Sequence, residues 1–297
     1  MKLLIHPGFH KTGTTFLQER VFCNESKFHS ILTHAEVDEY LVAPHDLYFH
    51  SEDLQSLVAQ RIGKTQSGAV PVLSSEILSG NPLVGSKDSV TLANRLHAVM
   101  PGSRIVFTVR RQQDLLISLY LQYVKRGGRL DHTRFFEHRT EPGYSWFDLS
   151  VVMYDGLVGR YADLFGKENV LVLPQEWLFA DQEHFLSVLC DYAGTRFVPE
   201  MVAPGSSGKS PPASGIPLMR MGNLFRRTPL NPNAMTSLSF VGEGLQSLAF
   251  RQSIGEAKTK RGLKDYITTR FKGSFAASNR RLQAYTPADL AALGYEV

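Results

Sequence analysis

HPGFHKTGTTF, residues 6–16, follows the apolar run KLLI at 2–5. Gly8 and Gly13 are five apart, the glycine spacing of the phosphate loop G-x-x-x-x-G-K-[ST]. In that motif a lysine follows the second glycine and reaches the β and γ phosphates. Here Thr14 holds that place, and the lysine is Lys11, inside the loop. The displaced lysine weakens a nucleoside-triphosphate reading and leaves the phosphate cradle intact. Backbone N–H groups of Lys11, Thr12, Gly13, Thr14 and Thr15 are expected to face an anion where a helix begins. Thr14 and Thr15 add hydroxyl donors, and Lys11 adds a charge. The plainer alternative is a tight turn into a helix.

The surrounding pattern supports the cradle. Apolar, strand-like runs stand at 2–5, 69–73, 104–109 and 169–173. Helical spacing falls between and after them, at 14–28, 52–62, 87–100, 112–125, 146–165 and 184–192. Strands that are apolar throughout are covered on both faces, so the alternation predicts an α/β fold with a central parallel sheet flanked by helices. Ligands of such sheets sit at the carboxyl ends of the strands. Residues 201–235 turn rich in Pro, Gly and Ser and read as a lid or substrate loop, with an insertion or a linker as the alternatives. Residues 237–297 read as a helical C-terminal part of the same domain, which gives one domain over 1–297.

The 297 residues are 43% apolar and 20% charged, a balance that suits a soluble globular chain with a sizeable core. A net charge of +4 fits anionic ligands and is too weak and too dispersed for a nucleic-acid binder. Cys23 and Cys190 share no metal-ligand spacing and read as buried free thiols of a reducing compartment. No apolar run reaches the length of a membrane span, and the first residues do not read as a secretory signal. The expected location is the cytoplasm. The 10 histidines offer no metal-ligand cluster. Oligomeric state is not readable.

A second element lies in VFTVRRQQDLLISLYLQY. Arg110 ends a strand, on the ligand side of a parallel sheet, where a guanidinium grips a phosphate through two hydrogen bonds. Ser118 follows in the next helix, and Arg111 stands in for Arg110 if the strand ends one residue later. A carboxylate, Glu76 of PVLSSEIL, comes just beyond the strand at 69–73, again on the ligand side. It suits a general base. His10 is the second choice of base, and His97, in a helical pattern, is a poor one. The alternative for Glu76 is a helix-start glutamate on free N–H groups, with Ser74 and Ser75 orienting the base or capping the helix.

HKTGTTFLQ resembles the cosubstrate loop of sulfotransferases that use 3′-phosphoadenosine 5′-phosphosulfate (PAPS), written P-K-x-G-T-T, with His10 in place of the proline. That family also carries an arginine at a strand end and a serine eight residues later, the spacing of Arg110 and Ser118. The resemblance covers 1–195 well and the rest loosely. It implies a sulfotransferase fold of the kind related to P-loop-containing nucleoside triphosphate hydrolases, and transfer of a sulfuryl group from PAPS to a hydroxyl. It assigns Lys11, Thr12, Gly13, Thr14 and Thr15 to the 5′-phosphosulfate and Arg110 and Ser118 to the 3′-phosphate. Lys11 also stabilises the departing oxygen. A basic Lys-Gly stretch near the C-terminus reaches the 3′-phosphate in some members; Lys272 and Gly273 are the matching residues, with Ser274 beside them, and a solvated basic turn is the alternative. Saccharide-directed members use a glutamate as base, which makes Glu76 the base and a carbohydrate the expected acceptor. The rivals are a P-loop kinase of a small molecule and a non-catalytic nucleotide-binding protein of the same fold.

Overall fold

The computed structural model describes residues 2–297 except 138, 142, 143, 146 and 203–210. Five strands form its main sheet: β1 (Leu4–His6), β2 (Phe28–Ser30), β3 (Val70–Ser74), β4 (Arg104–Val109) and β7 (Val170–Pro174). They lie in the order β2-β3-β1-β4-β7 and every pairing is parallel. The remaining strands, β5 (Arg139–Glu141) and β6 (Tyr144–Ser145), form a small antiparallel pair.

Why the main strands read as unbroken apolar runs follows from their alternation. Ile5, Leu73, Ile105 and Phe107 join one core. Their neighbours Leu4, Val72 and Val106 join a second core on the other side. Successive residues of a strand face opposite ways, so a sheet covered on both faces needs apolar residues at every position. Full burial of each such side chain contributes roughly 1.5–3 kcal/mol.

The helices in chain order are α1 (Thr14–Phe16), α2 (His34–Val37), α3 (Ser51–Ile62), α4 (Ser89–Val99), α5 (Gln112–Lys125), α6 (His132–Glu137) and α7 (Tyr154–Phe165). They continue with α8 (Gln175–Ala180), α9 (Gln182–Ala193), α10 (Ile216–Gly222), α11 (Ser239–Arg251), α12 (Glu256–Arg270) and α13 (Ala276–Leu282). Leu186 and Leu189 of α9 cover the face that holds Leu4. Leu96 of α4, Leu116 of α5 and Val158 of α7 cover the other. Among the described residues no helix is long and apolar enough to cross a membrane.

Four expectations need correction. The helix predicted over 14–28 is shorter: α1 passes into a wider turn over Leu17–Val21, and Phe28 begins β2. A pair of turns at 22–27 separates the two. The helix predicted from 146 begins at Tyr154, after a 3-10 turn at Leu149–Val152; residue 146 lies outside the described residues. Within 201–235, residues 203–210 lie outside the described residues, and Ile216–Gly222 is a helix packed on α11. Cys23 is exposed rather than buried, and its thiol donates to the Glu19 carbonyl at 3.0 Å.

Candidate functional site

The loop after β1 is built on left-handed backbone. Gly8 has φ 49°, Lys11 φ 66° and Gly13 φ 102°. A Cβ at Gly8 would stand 2.9 Å from Thr14 Oγ1, so the first glycine is required by space as well as by angle. Lys11 is one of only two non-glycine residues with positive φ among the described residues. An L residue in that conformation is strained, and the strain is held by neighbouring bonds. Thr12 supplies them: it is fully buried, and its hydroxyl donates to the Phe9 carbonyl at 2.6 Å. Its side chain therefore braces the loop and does not reach a ligand.

A cavity of about 480 Å³ opens over this loop. The carboxyl ends of four parallel strands contribute to it: the loop after β1, Glu76 after β3, Arg110 after β4 and Gln175 after β7. This is where a parallel sheet with central strand β1 leaves a crevice between connections that diverge to either side. Lys11, Gly13, Thr14 and Thr15 line the cavity floor, and Ser118 lines it from α5. Arg110 reaches back toward the loop, its Nη1 donating to the Lys11 carbonyl at 3.4 Å. Arg111 is turned away and paired with Asp114 at 2.8 Å and Glu176 at 3.6 Å. Of the two arginines, Arg110 lines the cavity and Arg111 does not.

Charge is crowded here. Burial lowers the Lys11 pKa, and the nearby cations Lys125, Arg110 and Arg126 lower it further. Glu76 is half-buried. Burial pushes its pKa up, but its own backbone N–H, His10, His34 and the Gln18 amide together pull it below the usual value. The carboxylate is therefore ionised at neutral pH. His10, beside it, is held neutral by burial, with a pKa lowered to about 4. Its Nε2 lies 3.1 Å from the Gly80 carbonyl, an acceptor, so Nε2 carries the proton.

Beneath the cavity runs a one-way chain of hydrogen bonds. Thr12 spends its proton on Phe9, so Thr108 donates to Thr12 at 2.8 Å. Thr108 has then spent its own proton, and His6 Nε2–H donates to it at 3.3 Å. His6 is fully buried, and burial lowers its pKa to about 4. The neutral ring leaves Nδ1 as an acceptor, and Ser74 donates to it at 2.8 Å. Gln18 donates to the Ser74 carbonyl at 3.2 Å and to Glu76 Oε2 at 3.4 Å. The loop and the carboxylate are tied to one buried frame. Ser74 acts in it; Ser75 stands at the N-cap position of the 3-10 turn Glu76–Ser79, but its side chain makes no capping bond and pairs with His34 at 2.8 Å.

The remaining expected residues fall elsewhere. Lys272 is exposed, and the Gly273 amide donates to Glu296 at 3.1 Å; neither lines the cavity. His97 packs edge-on against Phe165 in α4–α7 packing, 5.2 Å between rings. Sequence reading missed Gln122, Lys125 and Arg126, which line the cavity from α5. Helical spacing from Ser118 was the available signal, since residues four and seven or eight apart share a face. It also missed Gln175, whose Oε1 is buried without a partner beside Gly13. No sequence signal marks that residue.

No protein-family model matches the sequence, and no curated protein is significantly similar to it. Solved structures do resemble it. A sulfotransferase from Alicyclobacillus acidocaldarius is 17% identical, with TM-score 0.50, over 86% of this chain and 98% of the other. A sulfotransferase domain from the curacin biosynthetic pathway is 15% identical, with TM-score 0.43, over 91% of this chain and 96% of its own. A mouse sulfotransferase complexed with PAP is 14% identical, with TM-score 0.40, over 95% of this chain and 88% of its own. The bacterial likeness shows the fold. The chain has the sulfotransferase α/β fold, with a parallel sheet flanked by helices.

Proposed function

We propose that this chain moves a sulfuryl group from PAPS to an acceptor hydroxyl on a carbohydrate or glycoconjugate. The observation that supports this most is convergence: Lys11, Glu76, and the pair Arg110 and Ser118, from three separate stretches, line one cavity. Its size suits a nucleotide with room for part of an acceptor, since small-molecule sites span roughly 300–1,000 Å³. Local chemistry fits an anionic donor. The Ser118 hydroxyl, a potential donor, has no hydrogen-bond partner among the described residues.

When bound, the donor supplies a sulfuryl group activated by a phosphate leaving group. Lys11 and the amides of the loop hold the phosphosulfate end, with Thr14 and Thr15. Arg110 and Ser118 hold the 3′-phosphate. Glu76, already ionised, accepts the proton of the acceptor hydroxyl while its oxygen forms the new bond to sulfur. The bond from sulfur to the phosphate oxygen breaks, and Lys11 faces the charge left on that oxygen. A glutamate base supports a saccharide hydroxyl as acceptor. Two unbridged cysteines support a reducing, cytoplasmic setting.

Transfer of ³⁵S from labelled PAPS to a panel of oligosaccharides tests the reading, with γ-labelled ATP as the control. Label on a saccharide from PAPS alone is expected. Phosphate transfer from ATP, or no transfer from PAPS to any acceptor, would replace it with a kinase or a non-catalytic protein.

A further inference from the structure

Two cavity-lining cations are left over once the donor is assigned. Lys125 and Arg126 line the cavity from the end of α5, and neither side chain has a hydrogen bond or ion pair among the described residues. The ordinary account of such residues is a helix C-terminus favouring positive charge. That account explains their sign but not their place. They lie seven and eight residues beyond Ser118, on the same helical face, and about 10–12 Å farther along the axis at 1.5 Å per residue. This carries them away from the 3′-phosphate end of the site. Both act electrostatically on Lys11, and Arg126 acts also on the neutral His10; these two residues flank the reacting end, and His10 feels Glu76 as well. Four cations thus line the cavity against one carboxylate, Glu76.

The turn that carries the pair is also held in place. Asn223, fully buried, donates from Nδ2 to the carbonyls of Val124 and Gly128, each at 2.8 Å. Gln246 in turn donates to Asn223 Oδ1 at 2.8 Å. Carbonyls at a helix end are normally open to water. Here the segment after 211 clamps them, so the pair is presented from a fixed turn. The pair is exposed and lines the same cavity as the base, Glu76.

We infer that Lys125 and Arg126 form an acceptor subsite for an anionic substituent, a carboxylate or sulfate carried near the reacting hydroxyl. This rests on the sulfotransferase reading, and the test separates the two. Native protein and the double variant Lys125→Gln/Arg126→Gln are titrated with 3′-phosphoadenosine 5′-phosphate (PAP). Each PAP-saturated protein is then titrated with three tetrasaccharides: glucuronate–N-acetylglucosamine, its N-sulfated form, and neutral chitotetraose. The expected result is PAP affinity within about threefold of native, with affinity for the anionic saccharides at least about tenfold weaker in the variant. Raising the salt should shrink the native preference for them over chitotetraose. PAP binding lost in the variant would assign the pair to the donor and overturn the inference. So would equal affinity for neutral and anionic saccharides, or no binding of either anionic one. Native protein that does not bind PAP at all would instead overturn the donor reading beneath it.

Discussion

Two lysine–glycine turns resemble donor-binding elements in sequence, and only one of these two lines the cavity. Lys11 and Gly13 lie in one, Lys272 and Gly273 in the other. Both rely on a glycine with positive φ, 102° at Gly13 and 75° at Gly273. In the first, the backbone opens on a cavity and the lysine stands among other cations. In the second, the glycine amide is already spent on Glu296 and the lysine is exposed. Local sequence makes the two alike. What separates them is topology, because only the first follows the central strand of a parallel sheet, where strand ends converge.

The comparison can be sharpened at the base. Glu76→Gln is expected to lower turnover by about 10²–10⁴-fold while PAP affinity stays near native. Steady-state rates beside a binding titration would check this. Full turnover in the variant would remove Glu76 from the base role.

Acid should weaken the first turn's foundation and leave the second untouched. His6 and His10 have pKa values lowered to about 4 by burial, against an ordinary 6.5. Between those values the unfolded chain binds more protons than the folded one. Stability is therefore full above about pH 6.5 and is lost as pH falls toward 4, by on the order of a few kcal/mol. Melting temperatures across that window, for native protein and His6→Gln, should show a shallower slope in the variant. An unchanged slope would mean that His6 is not held neutral.

The glycines offer a smaller contrast. At Gly13 a Cβ would meet Leu178 at 3.2 Å and Gln175 at 3.4 Å, in addition to its φ of 102°. At Gly273 nothing lies within 4 Å. Gly13→Ala is expected to cost about 1–3 kcal/mol, and Gly273→Ala about 1 kcal/mol, in denaturant unfolding. Equal losses would break the contrast between the two turns.

Much of this was legible in the sequence. Apolar runs with no polar face announced a doubly covered sheet, and the glycine-spaced loop after the first of them marked where the cavity lies. The strand end at Val109 placed Arg110 correctly within one residue, but only Arg111's partners, Asp114 and Glu176, show why Arg110 is the one that faces the cavity. β2 was hidden because Phe28 continues the apolar spacing of the helix before it, and His29 and Ser30 add no apolar run of their own. The chain from Thr12 through His6 to Gln18 could not be read, since it joins residues 6, 12, 18, 74 and 108 through the sheet register His6↔Ser74. Asn223 was equally hidden: its segment looked like a loop, and its value comes from carbonyls 95 and 99 positions away.

Calorimetric titration with PAP tests the central claim most directly, on native protein and on Lys11→Ala, Arg110→Ala and Lys272→Ala. The account predicts micromolar or tighter binding by native protein, weakened at least about tenfold in the first two variants and changed by less than about twofold in the third. Absence of binding by folded native protein, or equal loss in Lys272→Ala, would contradict it.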